Sequence, residues 1–263
     1  MRACLKAATA ILAVFVMASA APSSARSAWE TLVDGSSFKS QADFTNHWDT
    51  NYPWGTDHNG SARMNATNLS VAHGIVTIAC HPVTEDEGYS SSTPHLAIHY
   101  HSGTFCLKQT ITISPKYPVW DISGQFKVPT QTGCWPAFWM TGAHSWPPES
   151  DFMEFKGTNC CNQNTYDGAW QINLTPIPDA STAWHTYRVI ATFKNEMQVD
   201  FRYYIDGTLK SDQTAPTFVN HPCWLIIDYQ MEGSSGSPGP AGPTYCYVKN
   251  IVVKRKVVSG IHR

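Results

Sequence analysis

The chain has 263 residues, with 14% charged, 12% aromatic and a formal net charge of −2. That balance excludes nucleic acid as a partner, because the one basic run, Lys254-Arg255-Lys256, reads as a solvated strand end. About 240 residues beyond a leader suffice for one large core and fit a single all-β domain.

The first twenty residues read as a secretory leader. Arg2 and Lys6 give a basic start, Ala7 to Val16 an apolar run, and Ala18-Ser19-Ala20 a cleavage site. No stretch is long and apolar enough for a membrane span. A secreted, soluble chain is expected, with one domain over 21–263. Leu69 to Ala79 reads as two strands around a turn at His73-Gly74. Further strands are expected near 96–105, 109–114, 119–128 and 135–141. An acidic strand follows over 150–156, then strands over 168–174, 185–194 and 197–206. Asp206-Gly207 is a hairpin signal. Gly233 to Pro243 reads as a long surface loop, and Tyr245 to Val253 as a closing strand. No segment shows a sustained helical period, so the sum is a many-stranded sandwich.

Eight cysteines include Cys4 of the leader. The other seven, Cys80, Cys106, Cys134, Cys160, Cys161, Cys223 and Cys246, would meet conditions that permit disulfides, with at least one thiol left over. Their spacing names no pair. It also lacks the Cys-x-x-Cys or Cys/His clustering of a zinc site.

Glu149-Ser150-Asp151-Phe152-Met153-Glu154 places three carboxylates in a strand that gives up packing and gains like-charge repulsion. Paired carboxylates suit chemistry at a glycosidic bond. With a regular pleat, Glu149 and Asp151 share a face and Glu154 points away. One surplus residue near Phe152-Met153, a β-bulge, returns Glu154 to their face. A calcium site is the competing reading of the acids, although calcium prefers oxygens gathered from a loop. Trp135 and Trp139, four residues apart on one strand, share a face and suit stacking on pyranose rings. Trp146 is a candidate for the rim of the same cleft.

These residues sit in a wider pattern. Tyr100-His101-Ser102-Gly103, the run Gly133 to Trp139, Glu149-x-Asp151-x-x-Glu154, Trp184-His185-Thr186-Tyr187 and Tyr204-Ile205-Asp206-Gly207 occur in an order that resembles glycoside hydrolase family 16, of laminarinase type. The resemblance implies an all-β jelly roll of two curved antiparallel sheets with a substrate cleft on the concave face. It implies Glu149 as nucleophile, Glu154 as general acid/base and Asp151 as the residue that orients and tunes the pair. Trp135, Trp139, Trp146, Gln171 and His185 become candidate substrate-binding residues, although His185 reads more readily as a packed histidine. Three positions depart from the family's habit: Thr104, Gln171, and Ser150 between the first two acids.

The expected activity is a retaining endo-β-glycosidase acting on a polysaccharide. β-1,3- or β-1,3/1,4-glucan leads, and a β-galactan of agar or carrageenan type is the alternative. No basic cluster is present to meet heavily sulfated chains or to neutralise a uronate for a lyase. A lectin-like jelly roll is the rival outside enzymes. A monomer with no required cofactor is expected, with room for a structural calcium on the outer sheet.

Overall fold

The structure is a computed structural model that describes residues 26–259. The expected leader over 1–20 lies outside the described residues. No helix among them is long and apolar enough to cross a membrane.

Two sheets pack face to face. The outer sheet has ten strands, with Val119–Lys127 and the long closing strand Thr244–Ser259 side by side at its centre. The eight-stranded inner sheet carries the site. Its order runs Trp170–Pro176, Cys160–Tyr166, Glu149–Phe155, Cys134–Gly142, Pro222–Met231, Thr104–Leu107, Trp48–Thr50, and the eighth strand, Ile111–Thr112, also pairs with Pro222–Met231. Strand pairing is antiparallel except between Ala62–Met64 and Tyr100–Ser102.

Alternation makes the core. Val119–Lys127 buries every second residue, as a sheet with one wet face should. Cys134–Gly142 is buried on both faces, because one meets the other layer and the other floors a cleft. Between the layers, Phe138 lies 5.1 Å from Phe126 and 5.0 Å from Phe152, ring centre to ring centre. Aromatic pairs at these separations add to area burial.

The hairpin at His73-Gly74 forms between Leu69–Ala72 and Ile75–Pro82. The turn at Asp206-Gly207 has φ of 49° and 77°, the left-handed pair that a tight hairpin needs. The segment after Met231 is a loop held from within. Glu232 accepts from Gly239 N at 3.0 Å and from the Ser237 hydroxyl at 2.9 Å. Gly133 (φ 82°) allows that loop to close, since a Cβ there would lie 2.3 Å from Gly239 Cα.

Several expectations are corrected. A short helix, Gln41–His47, forms where no helical period was read; Ser40 caps it by accepting from Asp43 N. Strands Arg26–Asp34, Cys160–Tyr166, Thr208–Ala215 and Pro222–Met231 were not among those expected. The region read as one strand over 96–105 is instead two, Tyr100–Ser102 and Thr104–Leu107. The disulfide expectation is not met: all seven cysteines are free thiols.

Candidate active site

The acidic strand carries the surplus residue the spacing asks for. Against Cys160–Tyr166, Asp151 faces Asn164 and Glu154 faces Asn162, three steps against two. Against Cys134–Gly142, Met153 faces Phe138 and Asp151 faces Trp139, so Phe152 is the residue with no opposite number. Phe152 and Met153 both sink into the core, and Glu154 returns to the side of Glu149 and Asp151. All three acids line one cleft of about 640 Å³. Asp151 and Glu154 are only 4% and 6% exposed.

The strand's other face explains Ser150. Its hydroxyl lies 2.6 Å from the Tyr203 hydroxyl, which also meets Thr165 Oγ1 at 2.6 Å and donates to Asn164 O at 3.0 Å. A branched apolar residue at 150 would remove one of that buried phenol's three partners. Thr104 is likewise spent on structure, donating to Ile227 O at 3.1 Å.

Each candidate tryptophan lines the cleft and gives its indole N–H to an acid. Trp135 donates to Glu154 Oε1 at 2.7 Å, Trp146 to Glu149 Oε2 at 3.0 Å, and Trp139 to Asp228 Oδ1 at 3.1 Å. Lys156 Nζ stands 3.0 Å from Glu154 Oε2. Asn164 Nδ2 bridges two of the three acids, 3.2 Å from Asp151 Oδ2 and 3.4 Å from Glu154 Oε2.

Burial sets the protonation of this cluster. It pushes Glu149 up to about 7; Trp146 opposes the shift, the charge of Glu154 adds to it and Lys156 opposes it. Burial, then the charges of Glu154 and Glu149, hold Asp151 well above the carboxylate range. Like charges in one dry site cannot all ionise, so the cleft keeps protons at neutral pH.

Two candidates fall outside the site. Gln171 points toward the other layer, where it donates to Thr214 O at 2.5 Å and accepts from Thr214 N at 3.2 Å. His185 sits on the outer sheet between Asp206 (2.7 Å) and Asp179 (3.1 Å). Neither lines the cleft.

Other residues complete the site without having been singled out. Asp228 is a fourth acid of the cleft, which burial pushes up to about 7, and it accepts from the Tyr52 hydroxyl at 2.5 Å. Its signal was a lone carboxylate in the apolar run Leu225 to Met231. Trp54 stacks on Tyr52 at 5.1 Å, and His58 stacks on Trp139 at 5.5 Å. Burial pushes His58 down to about 4, so it is a neutral ring in the cleft. At the other end, Trp146, Tyr166 and Trp170 form a ladder with ring spacings of 4.6 and 4.7 Å. Among the described residues no cluster of three or more His, Cys, Asp or Glu side chains is placed to hold a metal.

No family model matches the chain. It is 38% identical to a galactan endo-β-1,3-galactanase of Flammulina velutipes over 228 residues, covering 86% of this chain and 90% of that protein. Its fold resembles an endo-1,3-β-glucanase from Streptomyces sioyaensis (TM-score 0.65, 21% identity, 91% of this chain and 99% of that one). It also resembles SCLam, a non-specific endo-β-1,3(4)-glucanase from family GH16 (TM-score 0.64, 17% identity, 89% and 93%). On this kinship the chain belongs to the same family as that galactanase and is a hydrolase of O-glycosyl bonds, and its fold is that of the family GH16 glucanase.

Proposed function

We propose that the protein is a secreted, retaining endo-hydrolase of β-1,3-linked galactan. The observation that carries the chemistry is the bulge that returns Glu154 to the side of Glu149. The galactosyl substrate is supported by the relative matched along 90% of its length. This puts galactan ahead of the glucan expected from sequence. β-1,3-Glucan is the second reading, favoured by the glucanase folds. Export rests on the leader motif.

In the proposed mechanism Glu149, deprotonated, attacks the anomeric carbon. Glu149 and Glu154 share one proton, and in the reactive form it sits on Glu154; the C–O bond to the leaving sugar breaks as Glu154 passes that proton to its oxygen. The product of this step is a glycosyl ester on Glu149. Glu154 then takes a proton from water, whose oxygen attacks the same carbon and releases Glu149. Two inversions give net retention. Asp151, protonated between the two, limits the negative charge in the site and orients its neighbours. Trp135 and Trp146 hold the two glutamates by their indole N–H groups. The reaction needs no cofactor.

Glu149→Gln tests this. Reducing-end release from β-1,3-galactan should disappear while oligosaccharide binding persists; normal turnover would refute the assignment. The same assay on laminarin decides between the two substrates.

A further inference from the structure

The inner sheet ends in an edge strand with an inverted polarity. Along Trp170–Pro176, the polar residues Gln171, Asn173 and Thr175 turn toward the other layer. Trp170, Ile172 and Leu174 face out, and they are 45%, 62% and 59% exposed. An edge strand facing water normally does the reverse.

Register places that apolar row opposite the acids. Glu149 faces Tyr166, which faces Trp170. Asp151 faces Asn164, which faces Ile172; Glu154 faces Asn162, which faces Leu174. Directly paired residues share a face of a sheet. The row therefore continues the cleft surface, and Trp170 itself lines the cleft. Strands are about 4.8 Å apart, so the edge lies ~10 Å from the acids, about two sugar units away for a glycan crossing the strands. None of the six residues beyond the acids in these three rows, three on Cys160–Tyr166 and three on the edge strand, is charged.

We propose that Trp170, Ile172 and Leu174 form a distal subsite that takes a neutral galactosyl ring by its apolar face. The axial O4 of galactose leaves the C–H groups of C3, C4 and C5 together on one face, which an aliphatic row with one indole can cover. A sulfated or uronate ring would meet no cation there. This inference rests on the galactan reading above and extends it to a specificity surface.

The test is chain-length dependence. For wild type and the Ile172→Ser/Leu174→Ser double variant, kcat/KM is measured on β-1,3-galacto-oligosaccharides of increasing length and on the polymer. Both substituted side chains are exposed, so folding should be unchanged, and a melting curve checks it. Wild type should gain steeply once the substrate reaches the edge strand. The variant should match it on the shortest substrate cleaved and lose about tenfold on the longest, through KM with kcat unchanged, equivalent to ~1.4 kcal/mol. Trp170→Ala should flatten the same profile. A variant profile identical to wild type, or a uniform loss at every length, overturns the subsite while leaving the galactan reading intact. Failure of wild type to cleave galactan overturns both.

Discussion

The Lys156 ammonium lies 3.0 Å from the Glu154 carboxylate, at the end of the strand that carries the trio. It also sits 5.7 Å above the Trp135 ring, whose N–H serves the same carboxylate. Its charge reaches the other acids, and it lowers the proton affinity of both Glu149 and Asp151.

Removing that cation should therefore move the pH profile. In Lys156→Met the Glu149 carboxyl, already near 7, loses a group that favours its ionised form. Glu149 must be deprotonated to attack, so the acid limb of kcat/KM should shift to higher pH, by about half to one unit. An unmoved acid limb would show that Lys156 does not tune the nucleophile.

Stability should fall as pH rises toward neutrality. Asp228 is held near 7 by burial, whereas the unfolded chain releases that proton near the ordinary 3.8. The native state thus binds the extra proton between these values. Its contribution is fully present below about pH 4 and lost as pH rises through about 7. Thermal melts of the wild type should show Tm declining across this window, and Asp228→Asn should flatten the decline. Equal slopes in the two proteins would contradict the buried, protonated Asp228.

Tyr203 should matter to the frame more than to the chemistry. Its hydroxyl serves Ser150, Thr165 and Asn164 O at once, behind the acidic strand. Tyr203→Phe leaves those buried groups short of a partner, at a cost of about 1–3 kcal/mol. For a domain of this size that corresponds to a Tm lower by roughly 2–12 °C. Calorimetry checks it, and an unchanged Tm would mean that the hydroxyl contributes nothing net.

Much of the site was legible because spacing carries geometry. Glu-x-Asp-x-x-Glu has one residue too many for a regular pleat, so the bulge at Phe152-Met153 follows from asking all three acids to share a face. The tryptophans were readable by period, since 135 and 139 cannot lie on opposite sides of a strand. Asp228 was not readable in this way. It stands alone in Pro222–Met231, and its partners Tyr52 and Trp139 are far away in the chain. Gln171 was placed by the resemblance on the strand after the acidic one, but Cys160–Tyr166 takes that place, and the edge strand beyond it turns Gln171 inward to the Thr214 backbone. Cys160–Tyr166 was not readable as a strand, because Cys160-Cys161-Asn162-Gln163-Asn164 lacks the β-branched and aromatic residues that mark one. The helix Gln41–His47 has seven residues, too few to show a period, and its capping pair Ser40 and Asp43 was the sole local sign.

Covalent trapping tests the division of labour between the glutamates most directly. A 2-deoxy-2-fluoro β-galactobioside with a dinitrophenolate leaving group should react with the enzyme and hold it as the glycosyl ester, and peptide mass mapping locates the ester. The account predicts the label on Glu149. A label on Glu154 would contradict it.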